Sequence, residues 1–300
     1  MTRFTPRSAG TMVLGVALAL SMAACGSDSL DTGGQPTGTV SSASAQSGLA
    51  DKLPTKIKDA KKIVVGTDAS YAPSEFLAAD GKTVQGFDVD LFTAVAQKFG
   101  VAVEFVPADF ATIITGVEGG KFDVGVSSFT INDDRKKQVN MVSYYNAGTQ
   151  WATAKGNPKK VSVDNPCGFT IAVQTGTVQE EDDLPGRQKK CKAANKPMKI
   201  LSYKGQDQAT AAVASGKADA MLADSPVGAY AVKQSNGALE ALGDIYDAAP
   251  YGYVVPKDET DFATAITEAL KALKTDGTYD EVLKKWGVEQ GAIDSFAVNP

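Results

Sequence analysis

The fold is decided by residues 86–106, which read GFDVDLFTAVAQKFGVAVEFV. Apolar side chains recur here at helical spacing on one face, namely Leu91, Phe92, Val95, Ala96 and Phe99. We place Asp88 at the N-cap of this helix and Gly100 at its end. Residues 101–106 follow as an apolar, strand-like run. A helix that leads directly into a strand is typical of an α/β protein.

The same alternation continues on both sides of this stretch, from Lys61 onward. Further strands are predicted at residues 63–66, 122–126, 141–145, 170–173, 199–202 and 218–223. Further helices are predicted at residues 110–117, 206–214, 262–273 and 279–286, the third with a buried stripe of Phe262, Ile266, Leu270 and Leu273. Ser225-Pro226 opens another helix, with Ser as the cap and Pro at the first helical position. This alternation predicts largely parallel sheets flanked by helices.

The N-terminus has the layout of a secretory signal peptide, which we assign to residues 1–24. Arg3 and Arg7 precede an uninterrupted apolar or small stretch over residues 12–24, without an acidic residue. The stretch is too short to span a bilayer, which needs about 20 apolar residues. The sequence therefore predicts an exported protein.

The signal peptide ends in Ser21-Met22-Ala23-Ala24-Cys25, which resembles a bacterial lipobox apart from Met22 in place of the usual Leu. The resemblance implies that Cys25 is acylated and anchors the protein to the outer face of the cell membrane. The alternative is an unmodified Cys beside an ordinary cleavage site. Residues 26–50 are mostly Ser, Thr, Gly and Ala, so we assign residues 25–55 to the lipidated Cys and a flexible tether.

Composition excludes several classes of function. Loss of Arg3 and Arg7 with the signal peptide leaves 28 basic against 35 acidic residues, a formal charge of −7, which argues against a nucleic-acid partner. The chain has no histidine, so serine–histidine and cysteine–histidine catalysis are excluded. We find no metal-spaced cluster, P-loop or dinucleotide fingerprint, and predict neither cofactor nor metal.

Two cysteines remain after Cys25, and we predict that they pair. Cys167 and Cys191 would lie in a compartment that permits oxidation. A disulfide across that loop would stabilise the fold by about 3 kcal/mol in the chain-entropy model. The alternative is two free, buried thiols.

Several segments together resemble the polar-amino-acid solute-binding proteins of ATP-binding cassette (ABC) importers, family 3, including the lysine/arginine/ornithine-binding type. The resemblance runs from about Lys61 to Val288. Its segments, in family order, are Gly66-Thr67-Asp68, Tyr71-Ala72-Pro73, Gly86-Phe87-Asp88-Val89-Asp90-Leu91, Ser127-Ser128-Phe129-Thr130 with Arg135, Gly176-Thr177-Val178-Gln179-Glu180, Asp224, and Asp276-Gly277-Thr278-Tyr279.

The resemblance implies a two-lobed, periplasmic-binding-protein-like fold of type II, in which two chain crossings form a hinge. Lobe 1 would comprise residues 56–149 and 254–300, and residues 150–253 would form the hinge and lobe 2. The crossings are placed near residues 149–153 and 250–254.

The resemblance also implies a site for a free amino acid between the lobes. Arg135 matches the reader of the ligand carboxylate, although its charged neighbours would also suit a surface Arg. Asp224 matches the acceptor for the α-ammonium, although Asp is also a common helix cap. The residues that would complete the carboxylate cradle are Ser127, Ser128, Thr130, Thr175, Gly176, Val178 and Gln179. Gly176 to Gln179 would contribute backbone N–H groups at a helix start, since Val178 lacks the hydroxyl that the family often has there.

The ligand side chain would lie between two aromatic rings and face two acids. Tyr71 and Phe110 match the aromatic pair, although either suits a core and Phe110 also suits a hydrophobic staple. Asp68 matches the acid that reads a cationic side chain, and Glu75 is a second candidate, with a solvated loop acid as the alternative. The two acids favour arginine, lysine or ornithine over glutamine or glutamate.

We therefore expect a monomeric binding protein that closes on its ligand and delivers it to ABC permease subunits. One alternative is an enzyme on the same fold, resembling cyclohexadienyl dehydratase. Another is a lipoprotein that feeds a receptor instead of a permease.

Overall fold

The computed structural model describes residues 43–300. Its strands are β1 Lys62–Thr67, β2 Ser70–Tyr71, β3 Glu75–Leu77, β4 Val84–Gln85, β5 Ala102–Pro107, β6 Val124–Gly125, β7 Asn140–Ala154, β8 Thr170–Gln174, β9 Lys199–Tyr203, β10 Ala220–Asp224 and β11 Leu239–Val255. Its α-helices are α1 Thr55–Ala60, α2 Phe87–Phe99, α3 Phe110–Glu118, α4 Asp133–Gln138, α5 Leu184–Ala193, α6 Gln206–Ala214, α7 Ser225–Gln234, α8 Thr260–Thr275 and α9 Thr278–Trp286.

Eight strands form one sheet in the order β5-β1-β6-β11-β7-β10-β8-β9, and β2, β3 and β4 form a small separate sheet. The trios β5-β1-β6 and β10-β8-β9 are each parallel. Between them, β7 and β11 pair with each other in the antiparallel direction. The predicted α/β fold with mainly parallel sheets and flanking helices is confirmed.

The long ribbon formed by β7 and β11 connects the two parallel trios. One end of the ribbon pairs with β6 through Val254, and the other pairs with β10 through residues 149–153. The register between β7 and β11 is irregular between Leu242 and Ala249. The sequence predicted a strand only at residues 141–145 and missed β11, so the continuity of the ribbon is a structural finding. The exact lobe boundaries stay a prediction.

The predicted apolar face of α2 is buried in a core that α2 shares with α8 and α9. The predicted stripe of α8 lies in the same core, since Phe262, Ile266, Leu270 and Leu273 are each 0 % exposed. A fully buried side chain of this size contributes roughly 1.5–3 kcal/mol by leaving water. This core holds α2 against the sheet, next to the strand ends that carry the candidate site.

Two predicted helix caps are wrong. Helix α2 begins at Phe87 with Gly86 as its N-cap, because the backbone there has φ +143°, which favours glycine. Asp88 lies within the first turn, where its side chain is buried and accepts hydrogen bonds from Ser128 and Tyr144. Helix α7 has Asp224 as its N-cap, so Ser225 is its first residue.

The predicted tether is wrong for residues 43–55, which are folded. The backbone N–H of Gln46 donates to the carbonyl oxygen of Lys98 at 2.9 Å. Leu49 and Leu53 are buried in the same core as α2 and α8. These two leucines bury apolar surface and so favour packing of the segment against the core.

The predicted signal peptide, Cys25 and residues 26–42 lie outside the described residues. Among residues 43–300, no helix is both long and apolar enough to cross a membrane.

Cys167 and Cys191 form the predicted disulfide, which closes a separation of 24 residues, so the alternative of two free thiols is wrong. Cys191 is 1 % exposed and belongs to the core of lobe 2. The bond attaches α5 to the loop before β8.

Replacing both cysteines by Ser should lower the free energy of unfolding by about 3 kcal/mol, because the unfolded chain regains the entropy of the open loop. Urea unfolding measures the change. A reducing agent should destabilise the unsubstituted protein by a similar amount and leave the variant unaffected. A loss below about 1 kcal/mol would contradict the expectation.

Candidate functional site

Polar side chains from both parallel trios meet where the strands end. Asp68 follows β1 and Ser127 follows β6, while Gln174 ends β8 and Asp224 ends β10. Ligand sites of open α/β sheets lie outside the carboxyl ends of their strands. All four side chains are at most 5 % exposed, so this is a buried polar cluster between the lobes.

Arg135 is buried in this cluster, so the alternative of a surface Arg is wrong. The N-cap residue of α4, Asn132, accepts a hydrogen bond from the backbone N–H of Arg135 at 2.9 Å and fixes the start of the helix. The guanidinium donates to the carbonyl oxygens of Thr130 at 2.8 Å and Gly176 at 3.0 Å. The second of these bonds joins lobe 1 to lobe 2.

The Arg135 guanidinium also lies over two rings, 5.6 Å from the Phe110 centroid and 5.5 Å from the Phe129 centroid. Burial lowers the pKa of Arg135, and the charges of Glu181 and Asp224 oppose that change. A guanidinium has five N–H donors and stays protonated in proteins. The site therefore contains a fixed, desolvated positive charge.

Asp224 supplies a buried negative charge in the same cluster. Its Oδ1 accepts a hydrogen bond from Gln179 Nε2 at 2.7 Å, and its backbone N–H donates to Tyr71 Oη at 3.2 Å. Although Asp224 occupies the N-cap position of α7, its side chain accepts no backbone hydrogen bond from that helix. The carboxylate is therefore directed to the cluster and not used as a cap.

Burial raises the pKa of Asp224, while the neighbouring Tyr251, Gln179 and Tyr71 side chains and the charge of Arg135 oppose the rise. Gln179 Nε2 also donates to Thr149 Oγ1 at 3.1 Å, which connects the cluster to the β7–β11 ribbon. Thr149 and Tyr251 were not among the predicted site residues. Their only signal was a polar or aromatic side chain near each predicted crossing.

Asp68 lies at the opposite side of the cluster and is bonded on both carboxylate oxygens. Oδ1 accepts from the backbone N–H and hydroxyl of Ser70, at 3.0 and 2.5 Å. Oδ2 accepts from the backbone N–H of Phe110 at 3.0 Å and from Gln174 Nε2 at 3.1 Å. Burial raises the pKa of Asp68.

The bond between Asp68 and Gln174 is a second connection between the lobes. Gln174 is 1 % exposed, and its Oε1 has no hydrogen-bond partner among the described residues. An unpaired buried acceptor costs about 1–3 kcal/mol. Gln174 was also missed, although a polar residue that ends a strand directly before a Gly-Thr turn was a usable signal.

The two predicted aromatic residues are both buried. Tyr71 is 5 % exposed and lies next to Asp224. Phe110 is 8 % exposed and stacks on Phe129, with ring centroids 4.5 Å apart. Phe110 also belongs to the core around Ile113, so it has a packing role as well as a position beside Arg135.

Ser127 connects the cluster to two further predicted site residues, Glu75 and Ser128. Ser127 Oγ accepts from the backbone N–H of Asp68 at 3.0 Å and donates to Glu75 Oε1 at 2.9 Å. Ser128 donates through its backbone N–H to Asp88 Oδ2 at 3.0 Å. Glu75 is 0 % exposed, so the alternative of a solvated loop acid is wrong.

The segment 175–179 differs from the predicted cradle. The backbone N–H of Gly176 donates to Glu180 Oε2 at 2.8 Å, and that of Thr175 donates to the carbonyl oxygen of Tyr203 at 2.8 Å. Val178 is half-buried and precedes a π-helical turn over Gln179–Asp183, and α5 begins only at Leu184. Gly176 thus contributes its carbonyl oxygen to Arg135, whereas the prediction gave it an N–H role.

A buried guanidinium and a buried carboxyl at the strand ends form an arrangement that suits a small zwitterion. Residues 63–289 match the family of bacterial extracellular solute-binding proteins, family 3, and the chain belongs to that family. It is 36 % identical over 248 residues to the arginine-binding protein ArgT of Corynebacterium glutamicum, covering 82 % of this chain and 81 % of that protein.

Two solved structures share the fold at 35 % sequence identity and a TM-score of 0.69. An ancestral arginine-binding protein bound to arginine is matched over 75 % of this chain and 98 % of its own length. The ancestral amino-acid-binding protein AncCDT-1, a precursor of cyclohexadienyl dehydratase, is matched over 77 % of this chain and 97 % of its own length.

Proposed function

We propose that this protein binds an amino acid with a cationic side chain, best arginine, between its two lobes and delivers it to an ABC importer. One observation carries the proposal. The guanidinium of Arg135 and the carboxyl of Asp224 are both buried at the strand ends, near enough for each to affect the pKa of the other. Together they can neutralise the two ends of a zwitterion.

The ligand carboxylate would bind Arg135. Two hydrogen bonds from the guanidinium go to carbonyl oxygens, which hold its plane in place and leave further N–H donors for an anion. A charge-assisted fork of this kind reads a planar carboxylate. The α-ammonium would bind Asp224, whose other neighbours, Tyr71, Gln179 and Tyr251, are uncharged.

The ligand side chain would extend toward Asp68 and Gln174. The Asp68 carboxyl and the unpaired Oε1 of Gln174 lie together, since Gln174 Nε2 donates to Asp68. A guanidinium presents several N–H donors and suits two neighbouring acceptors. The rings of Tyr71 and Phe110 would pack against its alkyl stem. We assign Glu75, Ser127 and Ser128 the role of supporting the ligand-binding residues.

Ligand binding would favour the closed arrangement of the lobes. Residues of both lobes contribute to each half of the site, and the contacts of Arg135 with Gly176 and of Asp68 with Gln174 already join them. A ligand that makes contacts with both lobes binds the closed form more tightly and shifts the population toward it. The closed, loaded monomer would then dock on the permease.

Export and anchoring complete the proposal. The signal peptide over residues 1–24 and an acylated Cys25 would hold the protein at the outer face of the cell membrane. A receptor in place of a permease is the alternative partner, and loss of arginine uptake in a deletion strain distinguishes the two.

We further propose that the ligand is released unchanged. The AncCDT-1 similarity makes conversion of a cyclic amino-acid precursor the alternative. Incubation with prephenate or arogenate, followed by product analysis, tests it directly. Product formation would overturn the proposal.

A thermal-shift screen of the purified protein against the standard amino acids, ornithine and citrulline tests the ligand assignment. A ligand at about 100 times its dissociation constant stabilises the folded state by about 2.7 kcal/mol. We expect the largest shift with arginine. A larger shift with glutamine or glutamate would contradict the cationic assignment.

The variant Asp68→Asn keeps an acceptor oxygen but removes the charge. Its arginine affinity should fall by about 10- to 100-fold, whereas its citrulline affinity should change much less, because citrulline is uncharged at the same position. Asp59→Asn, on the exposed face of α1, is the matched control. Equal losses for the two ligands would contradict a role for Asp68 in reading charge.

A further inference from the structure

Glu75 and Asp88 are two carboxyl groups buried together in lobe 1. Both residues are 0 % exposed. Glu75 begins β3 and Asp88 lies in the first turn of α2, so the two groups come from separate elements. Neither forms an ion pair with a basic side chain among residues 43–300. Two neighbouring carboxylates without a cation are costly when both are charged.

The hydrogen bonds leave one oxygen of each carboxyl for the other. Glu75 Oε1 accepts from Ser127 Oγ at 2.9 Å. Asp88 Oδ2 accepts from the backbone N–H of Ser128 at 3.0 Å and from Tyr144 Oη at 2.6 Å. Glu75 Oε2 and Asp88 Oδ1 are buried and have no donor among the described residues. Glu75 and Asp88 bond to adjacent residues, Ser127 and Ser128, so the two carboxyls lie close enough for each to affect the pKa of the other.

We propose that Glu75 and Asp88 share a single proton, and that the resulting O–H···O hydrogen bond positions the Ser127–Ser128 turn beneath the ligand. The proton lies between the two unpaired oxygens. It supplies the donor that they lack and prevents repulsion between two charged carboxylates. The outer oxygens then hold Ser127 and Ser128. The first half of the proposal is independent of the ligand, and the second half rests on the proposed function.

The turn connects the pair to the ligand-binding groups. Ser128 has φ +51°, in the left-handed region that a serine rarely adopts, so this conformation needs support from its neighbours. Ser127 Oγ accepts from the backbone N–H of Asp68, and the carbonyl oxygen of Thr130, two residues after the turn, accepts from Arg135. Displacement of the Ser127–Ser128 turn would therefore move both Asp68 and Arg135.

The groups that face the pair are acidic or phenolic. They are Asp68, Tyr71, Tyr144, Tyr145 and Tyr253. Burial and the neighbouring charge raise the pKa of Glu75 well above its usual range, and burial raises the pKa of Asp88 to about 6. The folded state therefore binds more protons than the unfolded state. The stability from these groups is complete below the unfolded pKa values and is lost as pH rises through the folded ones.

Glu75→Gln tests proton sharing, because the amide donates permanently to Asp88 while its oxygen accepts from Ser127. Between pH 6 and 9, the unfolding equilibrium of the unsubstituted protein should shift by up to tenfold per pH unit more than that of the variant. Infrared spectroscopy of the unsubstituted protein at neutral pH should detect the C=O stretch of a buried protonated carboxyl. This band should be absent from the spectrum of Glu75→Gln and present in that of the control Glu118→Gln, whose substitution is at an exposed site. Equal pH slopes of unfolding for the two proteins would overturn the proposal, and so would the absence of the band from the unsubstituted protein. The second result can be obtained even if the variant does not fold.

Arginine affinity at neutral pH tests whether the carboxyl pair positions the Ser127–Ser128 turn. Glu75→Ala should bind at least about tenfold more weakly, and Glu75→Gln should restore affinity to within a few-fold. Wild-type affinity in Glu75→Ala would overturn the positioning role. If arginine fails to bind the unsubstituted protein while the infrared band is present, the proposed function fails and proton sharing stands.

Discussion

Replacing Arg135 by Ala should lower the affinity for arginine by about 30- to 5,000-fold, equivalent to roughly 2–5 kcal/mol. The substitution removes the buried donor that would read the ligand carboxylate. It also removes the hydrogen bond to Gly176 that joins the lobes, at 3.0 Å in the structure. Isothermal titration calorimetry measures the loss. Lys137→Ala is the matched control, because Lys137 is on the same helix but 72 % exposed.

The role of Arg135 can be isolated with agmatine, which is arginine without its carboxylate. The unsubstituted protein should prefer arginine to agmatine strongly, and Arg135→Ala should lose most of that preference, because its site no longer reads the missing group. An unchanged preference in Arg135→Ala would mean that the carboxylate binds elsewhere. A loss of affinity alone, without a change in preference, would point to lobe contacts as the only role of Arg135.

Much of the fold could be predicted because it follows from local pattern. The stripe of α8 and the apolar face of α2 repeat every three to four residues, and each was correct. The β7–β11 ribbon could not be predicted in this way. Its pairing joins residues as far apart as Asn140 and Val255. No local spacing specifies such a pairing.

The charged ends of the candidate site could be located from the resemblance, but their hydrogen bonds could not. Arg135 bonds to Gly176, 41 positions away, and Ser127 bonds to Glu75, 52 positions away. The sequence placed Glu75 in the site or on the surface, whereas it lies beneath the site. The distinction depends on burial by β3 and α2, which only the tertiary structure provides.

The tether and the helix caps failed for a different reason, which is competition between local signals and packing. Residues 43–55 have the composition of a linker, but Leu49 and Leu53 are buried and attach the otherwise largely exposed segment to the core. Asp88 has the type and position of an N-cap, but Gly86 takes that role and leaves the carboxyl of Asp88 to bond Ser128. A polar residue that looks like a cap can thus belong to a buried hydrogen-bond network.

Replacing Asp224 by Asn should weaken arginine binding by about 30- to 5,000-fold, because the variant keeps the size and the contact to Gln179 but cannot pair with an ammonium. The matched probe is arginine without its α-amino group. The unsubstituted protein should bind this probe much more weakly than arginine, and the variant should bind the two about equally.

The pH dependence of arginine binding gives an independent test of the role of the Asp224 charge. Because burial raises the pKa of Asp224, arginine affinity should fall as pH drops through that pKa, since a protonated carboxyl no longer attracts the ammonium. Titration calorimetry over a pH series measures the decline, and Asp224→Asn should remove the part of it that Asp224 causes. If the variant retains both the full acid-dependent decline and the preference for the α-amino group, then Asp224 does not hold the ammonium. The bond from Gln179 at 2.7 Å would then serve only to join strand β10 to the π-helical turn.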